Sequence, residues 1–354
     1  MSHLVSTDIF PRESQDEVAL MVSIKFKLPW WHAGSRSNQL DFMVSGMDSN
    51  GAKDHMLLEL LATEDRDSEL QFPCRICGQV GLKPINSSAG GDDHASPVAR
   101  QTDDLAWCPI CSLVQIAESQ PVTASLTAIC CAEDQDTARS TADNLCSSQR
   151  LGSDSLVMEI SGSTHLRNYR QRGIPVLQVE LSCNSARMAE PDADLPLIRE
   201  PLNHELALQL VRNNQRADVV HLGPAFSQAN DLNGIVSSLS TILKPEGLVV
   251  VQVPYLKDLV QQRDPAIAMQ YRSCFSLTAL TQLFGQHGLE VIDVARPQNE
   301  SESFTVTAAR FGTKSATAAV HEMMEDESEW VRDARFLNAF GEAINRPSND
   351  RRAA

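Results

Sequence analysis

Short apolar runs separated by helical stretches fill the chain after residue 150, and they constrain its fold more than any other feature. Candidate strands lie at 155–160, 175–180, 195–199, 217–222 and 247–253. The helical patterns between them include 204–214 and 232–244, and Pro245 and Gly247 supply the usual stop signals for the second one. This alternation predicts a parallel sheet built from βαβ units.

Two further β-rich runs, 288–294 and 303–310, follow a helical stretch at 276–288. The short separation of these two runs favours an antiparallel pair. Seven strands with such a closing pair are the arrangement of a class I methyltransferase, a Rossmann-like α/β fold, rather than of a dehydrogenase. We therefore expect a seven-stranded α/β domain of this class after residue 150.

Two C-x-x-C pairs, Cys74/Cys77 and Cys108/Cys111, precede this domain. A tight turn in each pair points both thiolates at one centre, and Gly78 follows the first pair where a left-handed turn is easiest. The chain has nine cysteines, an odd number, and no secretory signal is apparent, which favours reduced thiols over a disulfide framework. The four paired cysteines predict a closed, structural zinc site.

Two other interpretations of these four cysteines remain open. They are four thiols buried as small hydrophobic side chains, or an iron centre with the same ligands. His94, between the pairs, is interpreted as a loop residue rather than a ligand. Because four thiolates complete a tetrahedron, a catalytic metal is not indicated.

The overall charge and hydropathy restrict the partners of the protein. The 354 residues carry a formal net charge of −16, the wrong sign for holding a phosphate backbone, so we expect no nucleic-acid partner. No run of about 18 apolar residues occurs, and acidic residues appear early where a secretory signal would be basic and then apolar. These features predict a cytoplasmic protein with no membrane partner.

The composition divides the chain into five predicted segments. They are an N-terminal extension of unknown role at 1–70, a zinc-binding module at 71–116, a connector at 117–150, a methyltransferase-like domain at 151–312, and a helical tail at 313–354 that is disordered at its end.

Three stretches resemble one known family. They are CRICG at 74–78, CPICSLVQI at 108–116 and TILKPEGLVVVQVPYLKDLV at 241–260. They are similar to the zinc-containing, S-adenosylmethionine-dependent C-methyltransferases that act on nucleotide-linked deoxysugars. The resemblance covers about residues 72–325, and the family's usual C-terminal domain is expected to be absent. It implies S-adenosylmethionine as cofactor, structural zinc, and a small-molecule acceptor such as a nucleotide-linked sugar.

The resemblance also implies a cofactor site after the first strand of the domain. The family has E-I-G-S-N-D-G there, and this chain has Glu159-Ile-Ser-Gly-Ser-Thr-His165. Glu159, Ser161 and Gly162 are the cofactor-binding residues carried over. Glu180, which ends the second strand, stands where an acidic residue would accept hydrogen bonds from the ribose hydroxyls.

The family's catalytic segment, Y-H-E-H-L-S-Y-F-S-L, reads AMQYRSCFSL at 268–277 in this chain. Removing a carbon-bound proton needs a base, which a neutral Gln or Met does not provide near pH 7. Tyr271 is expected to be buried or structural, because its ordinary pKa of about 10 is unfavourable for a base. The catalytic residues therefore stay unassigned.

Three functions follow as hypotheses. The first is a working methyltransferase with a changed acceptor and a rearranged base. The second is a catalytically inactive homologue that acts as a binding or scaffold protein, and the third is a metal-dependent module that presents residues 78–107 to a protein partner. A nucleotide-sized pocket beside Glu180 and Gly162 would favour the first, and a pocket filled by His165 would favour the second.

The remaining histidines and cysteines form no convincing constellation in the sequence. His204, His221 and His287 are interpreted as capping or surface residues. Cys183 and Cys274 are interpreted as packing residues, since nothing nearby in the sequence would depress the pKa of their thiols.

Overall fold

The structure, a computed structural model, describes residues 4–14, 17–26, 38–45, 72–85, 105–116, 135–160, 165–181, 194–261, 271–296, 303–333 and 336–337. The chain divides into two units, Met1–Asp67 and Ser68–Ala354. The first unit contains three strands, β1 (Leu4–Ser14), β2 (Glu17–Phe26) and β3 (Asn38–Ser45), which pair as an antiparallel meander. Trp30 and Trp31 lie outside the described residues.

The second unit is built on a seven-stranded sheet. Its strands are β7 (Val157–Ile160), β8 (Val176–Glu180), β9 (Leu197–Pro201), β10 (Ala217–Leu222), β11 (Leu243–Pro254), β13 (Leu289–Ala295) and β14 (Ser303–Arg310). Their order is β13-β14-β11-β10-β7-β8-β9. Only β14 among them is antiparallel to its neighbours. This order, with its closing antiparallel strand, confirms the predicted class I methyltransferase fold.

Helices cover both faces of this sheet. They are α1 (Gln135–Gln149), α2 (Leu166–Gln171), α3 (His204–Arg212), α4 (Leu232–Ile242), α5 (Leu256–Gln261), α6 (Leu277–Gly285) and α7 (Ala318–Trp330). Residues of α1 and α2 pack with Val157, Val219 and Val250 on one face. The apolar sides of α3, α4 and α6 belong to the larger core on the other. Among the described residues, no helix is long and apolar enough to cross a membrane.

The junction between α4 and β11 departs from the predicted helix at 232–244. The helix ends at Ile242, and the strand begins at Leu243, before Pro245. Two arginines stabilise this helix end, because they satisfy carbonyls that the helix leaves open. Arg216 donates to Thr241 O and Leu243 O, and Arg310 donates to Ser240 O and Leu243 O.

A second, four-stranded sheet joins the cysteine-containing segment to the α/β domain. It contains β4 (Lys83–Pro84), β5 (Leu105–Trp107), β6 (Val114–Ile116) and β12 (Ser273–Cys274), in the order β12-β6-β5-β4. Since β12 lies between α5 and α6 in the sequence, the α/β domain contributes one strand to the smaller sheet. The described parts of this segment, 72–85 and 105–116, lie within the second unit.

Helix α7, in the predicted helical tail, anchors the start of α6. The Glu327 side chain is fully buried, and its carboxylate accepts hydrogen bonds from Leu277 N, Thr278 N and Thr278 Oγ1 at 2.6–2.7 Å. A carboxylate at the first turn of a helix also interacts favourably with the helix dipole. Ser276 is the N-cap residue and accepts from Ala279 N, and Glu327, fifty positions away from Leu277, satisfies the remaining donors at the start of α6.

We expect Glu327→Ala to lower the free energy of unfolding by about 2–4 kcal/mol, because it leaves three donors near the buried start of α6 without their acceptor. Urea unfolding followed by circular dichroism measures this change. Glu329→Ala, on the exposed side of the same helix, is the matched control. Equal unfolding midpoints for the two variants would contradict this account of α7.

Candidate functional site

Two equivalent turns hold the four paired cysteines. In the first, Gly78 N donates to Cys74 O and Cys74 N donates to Gln79 O; in the second, Ser112 N donates to Cys108 O and Cys108 N donates to Leu113 O, all at 2.9 Å. Gly78 has a φ of +70°, which confirms the left-handed turn predicted there. Ser112 takes the same place in the second turn with a φ of 63°, which a residue with a side chain rarely adopts.

The turns bring the four sulfur atoms together. Cys74 Sγ lies 3.4 Å from Cys111 Sγ, and Cys77 Sγ lies 3.4 Å from Cys108 Sγ. All four ligand atoms lie within 4.8 Å of one another. Zinc bound to four thiolates at about 2.3 Å separates the sulfurs by roughly 3.8 Å. The cluster therefore has the donor chemistry and the size of a tetrahedral metal site.

Hydrogen bonds among the four sulfurs divide the thiols of the metal-free cluster. Contacts from Cys111, Cys74 and Cys77 hold the pKa of the Cys108 thiol well below its ordinary value, and contacts from Cys108 raise the pKa of the Cys74 and Cys111 thiols. A thiolate is the form that binds a metal ion. Three of the four side chains are buried, and Cys77 is partly exposed.

The α/β domain supports the first turn through its backbone. Asn233 Nδ2, on α4, donates to Arg75 O at 2.8 Å and to Ile76 O at 3.0 Å. His287 Nε2 lies 2.9 Å from Asn233 Oδ1 and orients that amide. His287 therefore supports the cysteine turn through Asn233. Its position after a helix did not reveal this role in the sequence.

Glu159 and Glu180, two of the cofactor residues carried over by resemblance, lie near the carboxyl ends of β7 and β8. Glu159 lies in β7 with 0% exposure, and Glu180 is the last residue of β8 with a side chain that is 42% exposed. The Glu180 carboxylate lies 3.9 Å from the Arg199 guanidinium, which is itself largely exposed. Ser161 and Gly162 lie outside the described residues. The neighbouring positions of β7 and β8 thus place two carboxylates near the edge where open α/β sheets bind ligands.

A row of polar side chains crosses the sheet at the level of Glu159. Strand pairing aligns Glu159 with Gln178 of β8 on one side and with His221 of β10 on the other. All three side chains are buried. One signal in the sequence was available for this row: each strand has a single polar residue inside an apolar run, in VMEI, VLQV and VVHL.

His221 corrects the interpretation of the strand histidine as a capping or surface residue. It is 2% exposed, its Nε2 lies 2.9 Å from the Tyr169 hydroxyl, and its ring stacks on His165 with centroids 4.3 Å apart. His165 is 5% exposed. Burial, and then the neighbouring His165, lower the pKa of His221 well below its ordinary value. His221 is therefore a neutral imidazole at neutral pH.

A small cavity adjoins the two stacked histidines. The centre of a water molecule can occupy about 10 Å³ of this cavity, which is roughly the space that one water needs. Its walls come from α1 and the central strands, and the described lining residues are Thr141, His165, His221, Leu222, Gly223, Val250, Gln252 and Thr305. Most of the surface of the described lining is apolar, and no carboxylate, lysine or arginine contributes to it.

The described part of the altered catalytic segment, 271–277, is packed into the protein. Tyr271 is buried, and Phe275 stacks on Phe226 with centroids 5.6 Å apart. Burial raises the pKa of Cys274 to about 12, so its thiol is unreactive at neutral pH. Residues 268–270 lie outside the described residues. The segment thus has the burial and contacts of structural residues.

The comparison with protein families matches part of this region. Residues 138–294, less than half of the chain, match a family model described as a methyltransferase domain. The chain is also 31% identical over 183 residues to the C-methyltransferase NovU of Streptomyces niveus, a match that covers 51% of this chain and 42% of that protein. The chain thus spans less than half the length of this curated relative. These matches make the chain methyltransferase-like.

Solved structures with a similar fold are more distant. An S-adenosylmethionine-dependent methyltransferase from Clostridium acetobutylicum is 12% identical, with 53% of this chain and 96% of that chain covered and a TM-score of 0.39. The glycopeptide N-methyltransferase MtfA complexed with S-adenosylmethionine is 15% identical, with 49% and 87% covered and a TM-score of 0.35. The strand order, and not these likenesses, identifies the fold.

The lowered pKa of His221 predicts a loss of stability in mild acid. In the unfolded chain a histidine titrates near pH 6.5, whereas in the folded chain His221 stays neutral to lower pH. The unfolded state therefore binds more protons below about pH 6.5, and the free energy of unfolding falls as the pH falls. The groups that face His221 are His165, Tyr169 and Glu159, and none of them changes in the variant.

We expect His221→Gln to reduce the slope of unfolding free energy against pH between about 6.5 and 5, by up to about 1.4 kcal/mol per pH unit. Urea unfolding at a series of pH values measures the slope. His204→Gln, at the exposed start of α3, should leave the slope close to that of the unmodified chain. A slope that is the same in both variants would exclude His221 as the titrating group.

Proposed function

We propose that this chain is an S-adenosylmethionine-dependent methyltransferase-like protein that binds the cofactor at the carboxyl ends of β7 and β8. One observation carries the proposal: Glu159 and Glu180 lie near the carboxyl ends of adjacent strands in a sheet of class I order. Ser161 and Gly162 complete the proposed cofactor-binding set through the resemblance described above.

The side chains that are described fit this cofactor at its ribose end. Glu180 ends its strand with a partly exposed carboxylate that lies 3.9 Å from its nearest cation, so it is available to accept hydrogen bonds from two hydroxyls. Glu159 is buried in β7, one residue before the end of the strand. The match of residues 138–294 to a methyltransferase domain supports the same placement.

When bound, S-adenosylmethionine supplies a methyl group that is already activated as a sulfonium. The protein then has to hold the acceptor in line with that methyl group and exclude water. The proposed acceptor is a small molecule, with a nucleotide-linked sugar as the class that the resemblance implies. No step of this transfer needs a metal ion.

A second candidate function, a catalytically inactive homologue that serves as a binding or scaffold protein, is favoured by His165. The family has its last loop glycine at this position, and here the imidazole is buried against His221 beside a cavity of one water's size. The packed segment 271–277 offers Tyr271 and Cys274, both buried, in place of the family's titratable residues. Both features fit a protein that keeps the methyltransferase fold without methyl-transfer activity.

Calorimetric titration with S-adenosylmethionine and S-adenosylhomocysteine separates the two candidates. If the first is right, the metal-loaded chain binds either ligand with a dissociation constant on the order of 1–100 μM, and Glu180→Gln weakens binding by about tenfold, the effect of losing a charged hydrogen-bond acceptor. Glu205→Gln, an exposed glutamate on α3, is the matched control.

The same titration of His165→Ala tests whether the imidazole fills the cofactor's place. Binding by this variant, with none by the unmodified chain or by His204→Ala, would assign His165 as the block and support the second candidate. No binding by any folded, metal-loaded variant would refute the proposed cofactor site.

We also propose that Cys74, Cys77, Cys108 and Cys111 hold one structural zinc ion. The sulfur separations and the enclosed position of the four side chains support a closed tetrahedral site. A structural ion here would fix the two turns in the geometry from which β5 and β6 extend.

We expect metal analysis of the purified chain to find about one zinc ion per chain. Cys74→Ser should lose most of this metal, whereas Cys146→Ser, a cysteine on α1 outside the cluster, should retain it. Iron in place of zinc would support the iron interpretation. If the chain is purified without chelators and contains four free thiols and no metal, the cysteines are buried as small hydrophobic side chains instead.

A further inference from the structure

Arg75 connects the cysteine cluster to the α/β domain. It lies inside the first C-x-x-C turn, and its guanidinium reaches out of the turn to two backbone carbonyls. Nη1 donates to Arg272 O at 2.7 Å, and Nη2 donates to Ile116 O at 3.0 Å. The carbonyls belong to two chain segments that lie side by side, because Ile116 N also donates to Arg272 O at 3.1 Å.

The backbone of Arg75 is held as firmly as its side chain. Arg75 N donates to Gln115 Oε1 at 2.9 Å, and Gln115 Nε2 donates to Pro73 O at 3.1 Å. The Gln115 side chain thus bridges the start of the turn to β6. A guanidinium presents several donors in a rigid plane, so it grips two carbonyls with little loss of side-chain freedom per bond.

Arg272 begins the segment 272–277, which lies at the carboxyl edge of the large sheet. Ser273 and Cys274 form β12 and pair with β6. Phe275 O accepts a hydrogen bond of 2.8 Å from Leu256 N, two residues after the end of β11. Its ring stacks on Phe226, which follows the end of β10. One short segment therefore touches both the cysteine module and the ends of two central strands.

We propose that Arg75 is a positioning residue through which the metal centre holds segment 272–277 at the carboxyl edge of the sheet. Metal–sulfur bonds from Cys74 and Cys77 would tie residues 74–77 to the turn that holds Cys108 and Cys111, and the Arg75 side chain would transmit that fixed position to Arg272. When the metal is lost, the turn loses its cross-link and Arg75 loses the fixed base from which it reaches both carbonyls. The inference rests on the proposed metal centre and is independent of methyl transfer.

Hydrogen exchange of the amides in 272–277, with the metal content measured on the same samples, tests this link. Arg75→Met keeps the aliphatic stem and removes the donors. We expect this variant to retain the metal. Its amides in 272–277 should exchange roughly tenfold faster or more, because hydrogen bonds from a charged donor are lost. Arg75→Lys restores a charged donor, so its amide exchange rates in 272–277 should lie between those of the unmodified chain and those of Arg75→Met.

Two controls make the test specific. Arg310→Met removes an arginine that also grips two carbonyls, Ser240 O and Leu243 O, far from the cysteines, so exchange in 272–277 should be unchanged. The absorption of cobalt bound to the thiolates should be the same in Arg75→Met and in the unmodified chain, which shows an intact metal site.

Chelation of the unmodified chain gives the complementary result. We expect exchange in 272–277 to rise while the amides of β7 and β10 stay protected. Unchanged exchange in 272–277, either in metal-loaded Arg75→Met or after chelation, would overturn the proposal. Because the readout contains no cofactor, failure to bind S-adenosylmethionine would leave this result intact.

Discussion

The parallel pairing of β7 with β8 and β10 is the constraint on which the proposed site depends. Because this pairing is in register, residues at the same depth in the three strands become neighbours on one face of the sheet. Glu159 is thereby placed between Gln178 and His221, and Glu180 is brought to the same edge. A shift of one residue in any of these strands would turn its polar side chain to the opposite face.

The cysteine module depends on a different kind of constraint. Its strands are two or three residues long and bury little surface by themselves. Its order comes from the sulfur cluster, from Arg75 and Gln115, and from the strand β12 that the α/β domain contributes. Through this arrangement the module packs against the larger domain. The strand β12, which joins the two, lies in the segment where the resembled family has its catalytic residues.

His165 and His221 show how a changed loop is accommodated. A residue with a large side chain at the family's last loop glycine needs space, and the buried His221 ring provides a flat partner for it. Burial lowers the pKa of His221 well below its ordinary value, so its ring is neutral at neutral pH in this contact. Because His165 lines the small cavity beside the stacked rings, its side chain limits the space available there.

The sequence by itself determined the seven strands, their class I order, the left-handed turn at Gly78 and the grouping of four cysteines. Strand periodicity and ligand spacing are local properties, and a single sequence records them. Only the tertiary structure decided that His221 is buried against His165 and Tyr169, that Arg75 reaches Arg272, and that Glu327 accepts hydrogen bonds at the start of α6. Each of these contacts joins residues about fifty to two hundred positions apart, and packing rather than any local pattern brings them together.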